Sequence, residues 1–235
     1  MQYDAVLFDF FGTLVRFTPV PAADGYERSH DVLGSLGSDL DYDGFVSRWN
    51  VCSEALEAIA LSTGREHSMD ELITGFLEET GAASDQSAVD RFRLAFLDEW
   101  CLAASVTPIS GAVDLLAGLA ETTTVAVVTN THDLDLVPRL LDEHRLAPHV
   151  TETVMSVEVG YRKPHDAIYR AAVERLGVEP HRCLFVGDSF DPDYVGPTRF
   201  GMQALLIDPN ATTAVPVERR IDSVLDVARC LDTSR

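Results

Sequence analysis

Lysine is almost missing from this chain: one lysine, Lys163, stands against 17 arginines in 235 residues. Basic charge is scarce altogether, since 18 Lys and Arg face 38 Asp and Glu for a formal charge of −20. Such a surface repels nucleic acid and anionic lipid, so neither is an expected partner. No apolar run approaches the roughly 20 residues that span a bilayer. The opening MQYDAVLFDF has neither the basic flank nor the cleavage site of a secretory leader, so a soluble, cytoplasmic protein is expected. Cys52, Cys101, Cys183 and Cys230 lack metal-ligand or redox spacing and are expected to be reduced and structural. The seven histidines show no ligand spacing either. An acid-rich composition with so little lysine fits a high-salt cytoplasm, and a general acidic bias produces the same composition.

The same shortage sets a condition on any anionic substrate. A phosphate ester meets the repulsion that excludes nucleic acid, so its site needs local positive charge from a metal, a lysine or aimed backbone N–H groups.

What the sequence does have is a rhythm of short apolar runs ending in polar residues: AVLF at 5–8, VAVV at 125–128, CLFVG at 183–187 and ALLI at 204–207. Helical spacing separates them at about 112–120, 134–144, 167–176 and 194–200. That alternation predicts an α/β fold with a Rossmann-like parallel sheet. Between about 18 and 106 the strand rhythm stops, and helical spacing takes over at 42–62, 69–79 and 86–103, with Ser68 as an N-cap and Gly64 and Gly81 as punctuation. The expected organisation is a core of 1–17 with 107–235, and an inserted all-helical module of 18–106.

In parallel sheets, ligands bind at the carboxyl ends of the strands. The first run is followed by Asp9, Phe10, Phe11, Gly12 and Thr13, the second by Thr129 and Asn130, and the third by Asp188 and Ser189, with Asp191 and Asp193 close behind. Each alone is also what a turn or a helix cap uses. Lys163 adds a different signal. A chain that otherwise uses arginine keeps its lysine where a compact ammonium matters, against a carboxylate or a phosphate oxygen. Its setting, Gly160-Tyr161-Arg162-Lys163-Pro164, predicts a loop entering a helix with Pro164 in the first turn.

Taken together, FDFFGTL, VVTNT, GYRKP and GDSFDPD resemble the four ordered motifs of the haloacid-dehalogenase-like superfamily, and the helical insert falls where that superfamily has a cap. The resemblance implies a hydrolase with Asp9 as nucleophile and Lys163 and Thr129 as catalytic partners. It implies Mg²⁺ held by Asp9, the Phe11 carbonyl, Asp188 and Asp193, the last holding Lys163 or a metal-bound water. Gly12, Thr13 and the backbone near Asn130 are expected around a small-molecule substrate, and Arg48 of the insert is a candidate substrate contact or an ordinary exposed arginine. The sequence does not fix the oligomeric state.

One position departs from the pattern. Phosphatases of the superfamily carry a second aspartate two residues after the nucleophile, where this chain has Phe11. That aspartate protonates the leaving group, which general acid–base catalysis makes worth about 10²–10⁴-fold. Haloacid dehalogenases have an aromatic residue there but generally lack the acidic pair corresponding to Asp188 and Asp193. The expectation is a Mg²⁺-dependent phosphatase. A metal-independent 2-haloacid dehalogenase and a catalytically weak binding or regulatory protein are the alternatives.

Overall fold

The computed structural model describes residues 3–18 and 25–232, so Met1 and Gln2 of the opening and residues 19–24 of the predicted insert lie outside it. The chain divides into two compact units: residues up to Arg16 with those from Thr107 on, and Phe17–Val106.

Among the described residues the first unit has eight strands: β1 (Ala5–Phe8), β2 (Val15–Arg16), β3 (Thr107–Pro108), β4 (Thr124–Thr129), β5 (Glu152–Met155), β6 (Cys183–Gly187), β7 (Gln203–Ile207) and β8 (Arg220–Ile221). Six form a parallel sheet in the order β5-β4-β1-β6-β7-β8, while β2 and β3, where the chain leaves and re-enters this unit, pair antiparallel. β1 is central, with Ala5 opposite both Thr124 and Cys183. All four of its residues are buried, as a strand covered on both faces requires.

On one face Ala5, Leu7, Ala126, Val128, Cys183 and Phe185 pack with Ile168, Tyr169 and Ala172. Each large apolar side chain buried there contributes about 1.5–3 kcal/mol against chain entropy. β5 and β8 fall outside the four predicted runs because they are short edge strands, half polar and partly exposed.

The second unit consists of α1 (Glu27–Ser35), α2 (Tyr42–Thr63), α3 (Met69–Glu79) and α4 (Gln86–Ala103). The last three match the predicted segments and begin at side-chain caps, with Asp41 accepting from Gly44, Ser68 from Glu71, and Asp85 from Ser87 and Ala88. Their core is aromatic: the Trp49 ring centroid lies 5.2 Å from that of Phe76 and 4.2 Å from that of Phe96.

α1 was not predicted, and the reason is physical. It has no cap of its own; the Glu99 carboxylate on α4 accepts from the Arg28 and Ser29 N–H groups at 2.7 and 2.9 Å. A cap some 70 residues away leaves no local signature.

The remaining helices are α5 (Ala112–Ala120), α6 (Leu136–Glu143), α7 (Ser156–Val159), α8 (Asp166–Leu176), α9 (Gly196–Phe200) and α10 (Val227–Asp232). Three depart from expectation. α6 starts two residues late because Asp133 Oδ1 accepts from Asp135 and Leu136 N–H and sets the start there. α8 begins at Asp166 with His165 as its cap, so Pro164 stands before the helix, joined to Lys163 by a cis peptide, and not in the first turn. The helix expected at 194–200 is a π-helical turn, Phe190–Val195, running into α9.

No helix among the described residues is long and apolar enough to cross a membrane.

Candidate active site

Asp9 follows β1 directly, and its N–H still pairs with the Val186 carbonyl at 2.9 Å, so the rigid centre of the sheet aims this side chain. The chain then turns sharply, with the Phe10 carbonyl accepting from Leu14 and Val15. Gly12 sits in that turn at φ +88°, and a Cβ there would lie 2.1 Å from Asp188 Oδ2. Only glycine permits both the backbone conformation and the approach of Asp188.

Lys163 arrives from the loop before α8. Its Nζ donates to Asp9 Oδ1 and to Asp193 Oδ1, each at 2.7 Å, with the residue 3% exposed and the ammonium 5.2 Å from the Phe185 ring centroid. Burial opposes its charge, yet Asp193 and Asp9 outweigh burial and hold the ammonium above its ordinary range.

Asp193 is aimed by the π turn. Its second oxygen accepts from the Ser189 N–H at 2.9 Å, and Gly187, where a Cβ would sit 2.4 Å from the Asp193 carboxyl, leaves it room. Tyr169 on α8 steadies the turn by donating to the Pro192 carbonyl at 2.5 Å.

Carboxylate oxygens of Asp9, Asp188 and Asp193 lie within 4.8 Å of one another. Burial, with Asp193 and Asp188 nearby, pushes the Asp9 carboxyl up to about 7 against the pull of Lys163. Burial and Asp193 also raise Asp188. Burial is the largest cause, and a deficit of positive charge adds to it: among the described residues three carboxyl groups converge with one ammonium between them. An all-oxygen donor set with that deficit suits a hard divalent cation, so the residues present fit Mg²⁺.

The other predicted residues divide. Thr129 ends β4, beside β1, with its hydroxyl 3.5 Å from the Asn130 carbonyl. The Asn130 side chain points to Lys163: Oδ1 accepts from the Lys163 N–H at 2.8 Å and Nδ2 donates to the Lys163 carbonyl at 3.1 Å. That leaves its main chain, and not its amide, for a substrate. Thr13 is buried, and its hydroxyl has no hydrogen-bond partner among the described residues. The Phe11 ring meets Phe10 edge to face at 5.0 Å. Arg48 lies in the helical unit on α2, ion-paired with Glu79 of α3 at 3.5 Å.

Sequence reasoning missed Ser189 as an orienter of Asp193 and Tyr169 as an anchor of the π turn. The first acts through a main-chain N–H, which leaves no residue-type signal. The second is a buried aromatic on a helix, which reads as core.

The profile of the haloacid dehalogenase-like hydrolases matches residues 3–201, and the chain belongs to that family. Among its relatives, glyceraldehyde 3-phosphate phosphatase of Methanothermobacter thermautotrophicus is 41% identical over 63 residues, 27% of this chain and 28% of that one, so the match spans little more than a quarter of the relative. Phosphoglycolate phosphatase 1 of Pseudomonas aeruginosa is 25% identical over 97% of this chain and 79% of its own. Among solved structures, a 2-haloacid dehalogenase from Pseudomonas syringae superposes over the whole of both chains with a TM-score of 0.75 at 23% identity, a likeness of fold.

Proposed function

We propose that this hydrolase is a Mg²⁺-dependent phosphatase of the cytoplasm, acting on a small phosphorylated metabolite through an aspartyl-phosphate on Asp9. The observation that supports it is the charge deficit: three converging carboxylates with a single ammonium among them. A dehalogenase that works without metal has no use for that excess. Asp9, Asp188 and the Phe11 carbonyl would hold the ion, and Asp193, whose two oxygens accept from Lys163 and Ser189, would steady the ammonium beside it. When bound, Mg²⁺ supplies the positive charge that lets an anionic carboxylate approach an anionic phosphate.

The chain's own residues do the rest. Lys163 holds Asp9 Oδ1, leaving Oδ2 to attack phosphorus. The bond from phosphorus to the leaving oxygen breaks, and that oxygen keeps the electron pair. Thr129 and the N–H groups near Asn130 receive the phosphoryl oxygens as charge moves onto them. Water then attacks phosphorus, releasing phosphate and restoring the Asp9 carboxylate. The module of 18–106 acts as the cap that selects substrate, and Arg48, if freed from Glu79, is its candidate contact.

Phe11 supports a second reading, the metal-independent 2-haloacid dehalogenase, because a halide leaves without a proton. Within the phosphatase reading the same residue dictates substrate. With no acid at position 11, good substrates are acyl or aryl phosphates, whose leaving groups are already stable anions, and the rate falls steeply as leaving-group pKa rises. Phe11→Asp should raise alkyl phosphate hydrolysis by part of the roughly 10²–10⁴-fold that general acid catalysis supplies. Turnover on phosphate esters and 2-haloacids, with and without Mg²⁺, separates the readings. Phosphate release that needs Mg²⁺ is expected; halide release without metal would transfer the assignment to the dehalogenase.

A further inference from the structure

Lys163 carries the longest lever in the site. Its ammonium must reach two carboxylates at 2.7 Å from a main chain that lies in neither helix nor strand. A lysine side chain has several rotatable bonds, so a small shift of its peptide becomes a larger one at Nζ. Something has to fix the backbone on either side of the Lys163 Cα, and the structure supplies one group for both flanking peptide units. The Asn130 carboxamide accepts from the Lys163 N–H at 2.8 Å and donates to the Lys163 carbonyl at 3.1 Å. Asn130 in turn follows β4 directly, the strand paired with β1, which carries Asp9. The amide thus stands in for a neighbouring strand, docking an irregular segment onto the sheet that aims the nucleophile.

We infer that Asn130 is a positioning residue, acting through the Lys163 main chain to set the ammonium between Asp9 and Asp193, and that its side chain is not a substrate contact. The geometry requires a donor and an acceptor on one planar group of this length. Aspartate retains the acceptor and loses the donor, alanine loses both, and glutamine places the same pair one methylene too far out. The consequence for catalysis rests on the reading of Lys163 given above. The clamp itself does not.

The sole lysine of the chain makes the test direct, because isotopically labelled lysine gives one amide signal and one ε-methylene signal by NMR. In the unaltered protein the Lys163 amide should be protected from hydrogen exchange although it sits in a loop. In Asn130→Ala that protection should be lost and the ε-methylene signal should shift or broaden. Asn130→Asp should recover amide protection but not the full ε-methylene position.

With a turned-over substrate, Asn130→Ala should lower kcat by about a hundredfold, the scale of a misplacement near 1 Å, and leave KM nearly unchanged. Added to Lys163→Met, it should cost less than about threefold more, since partners in one unit are not additive. An exposed, freely exchanging Lys163 amide in the unaltered protein would overturn the inference whether or not the variants fold. So would an ε-methylene signal unchanged in Asn130→Ala, or an effect confined to KM. Full activity in Lys163→Met would instead sink the reading of the active site, while the exchange measurements still decide the clamp.

Discussion

Two aspartates sit at the carboxyl edge of the same parallel sheet, Asp9 after β1 and Asp208 after β7, and both are more than nine-tenths buried. Their electrostatics run in opposite directions. Asp208 accepts from the N–H and hydroxyl of Thr212 and of Thr213, four bonds between 2.8 and 3.0 Å. The Thr212 N–H first, with the other donors, holds its carboxyl well below the usual carboxylate range. Asp9 has one charged donor, Lys163, two acidic neighbours, and a carboxyl pushed up to about 7. A carboxylate saturated by its own loop is a fastener. One held at a single oxygen, among like charges and opposite a shared ammonium, is poised to react or to bind a cation.

Substituting each aspartate in turn breaks the comparison most severely. Asp9→Asn preserves size at the strand end and removes the proposed nucleophile, so turnover should fall by at least about a thousandfold with the circular dichroism spectrum unchanged. Asp208→Asn should leave kcat per folded molecule intact. Substantial turnover in Asp9→Asn would end the contrast.

Lys163→Arg comes next. A planar guanidinium cannot fit between Asp9 and Asp193 as a point charge does, and kcat should fall at least about tenfold. An unchanged rate would make the lysine dispensable.

Gly12→Ala tests whether Asp188 belongs with Asp9. The added Cβ must displace the Asp188 carboxylate and strain a backbone at φ +88°, a conformation costing of order 1–3 kcal/mol outside glycine. The rise in melting temperature that Mg²⁺ should bring to the unaltered protein, by binding the folded state alone, should vanish. A retained rise would place the cation elsewhere.

The smallest effect is expected at Asp208. Its folded-state pKa is depressed, so the stability it contributes is present above the unfolded value near 3.9 and is lost as pH falls through the folded one. Asp208→Asn should lower the melting temperature by a few degrees at neutral pH, and that difference should shrink below about pH 4. A pH-independent difference would mean that the four bonds do not depend on the charge.

The same contrast shows what the sequence made legible. β1, β4, β6 and β7 announce themselves because strands buried on both faces are continuous apolar runs. Asp9, Lys163, Asp188 and Asp193 stood out as polar residues after those runs and as a lone lysine, joined by the order of four motifs. What stayed hidden were the partners that tell a fastener from a reactive group. Asp208 reads like any polar residue after an apolar run, and its donors are half main chain. The Asn130 clamp joins segments 33 residues apart, and α1 takes its cap from Glu99 on another helix. The clamp and the cap are geometries between elements, which local residue type does not encode.

The central claim is that Asp9 becomes phosphorylated. It is tested most directly by quenching the Mg²⁺-loaded enzyme in acid during turnover of an aryl phosphate and determining the mass of the peptide that contains Asp9. The account predicts one added phosphoryl group, localised to Asp9 and removed by hydroxylamine. An unmodified peptide from an enzyme shown to release its leaving group in a burst would contradict it.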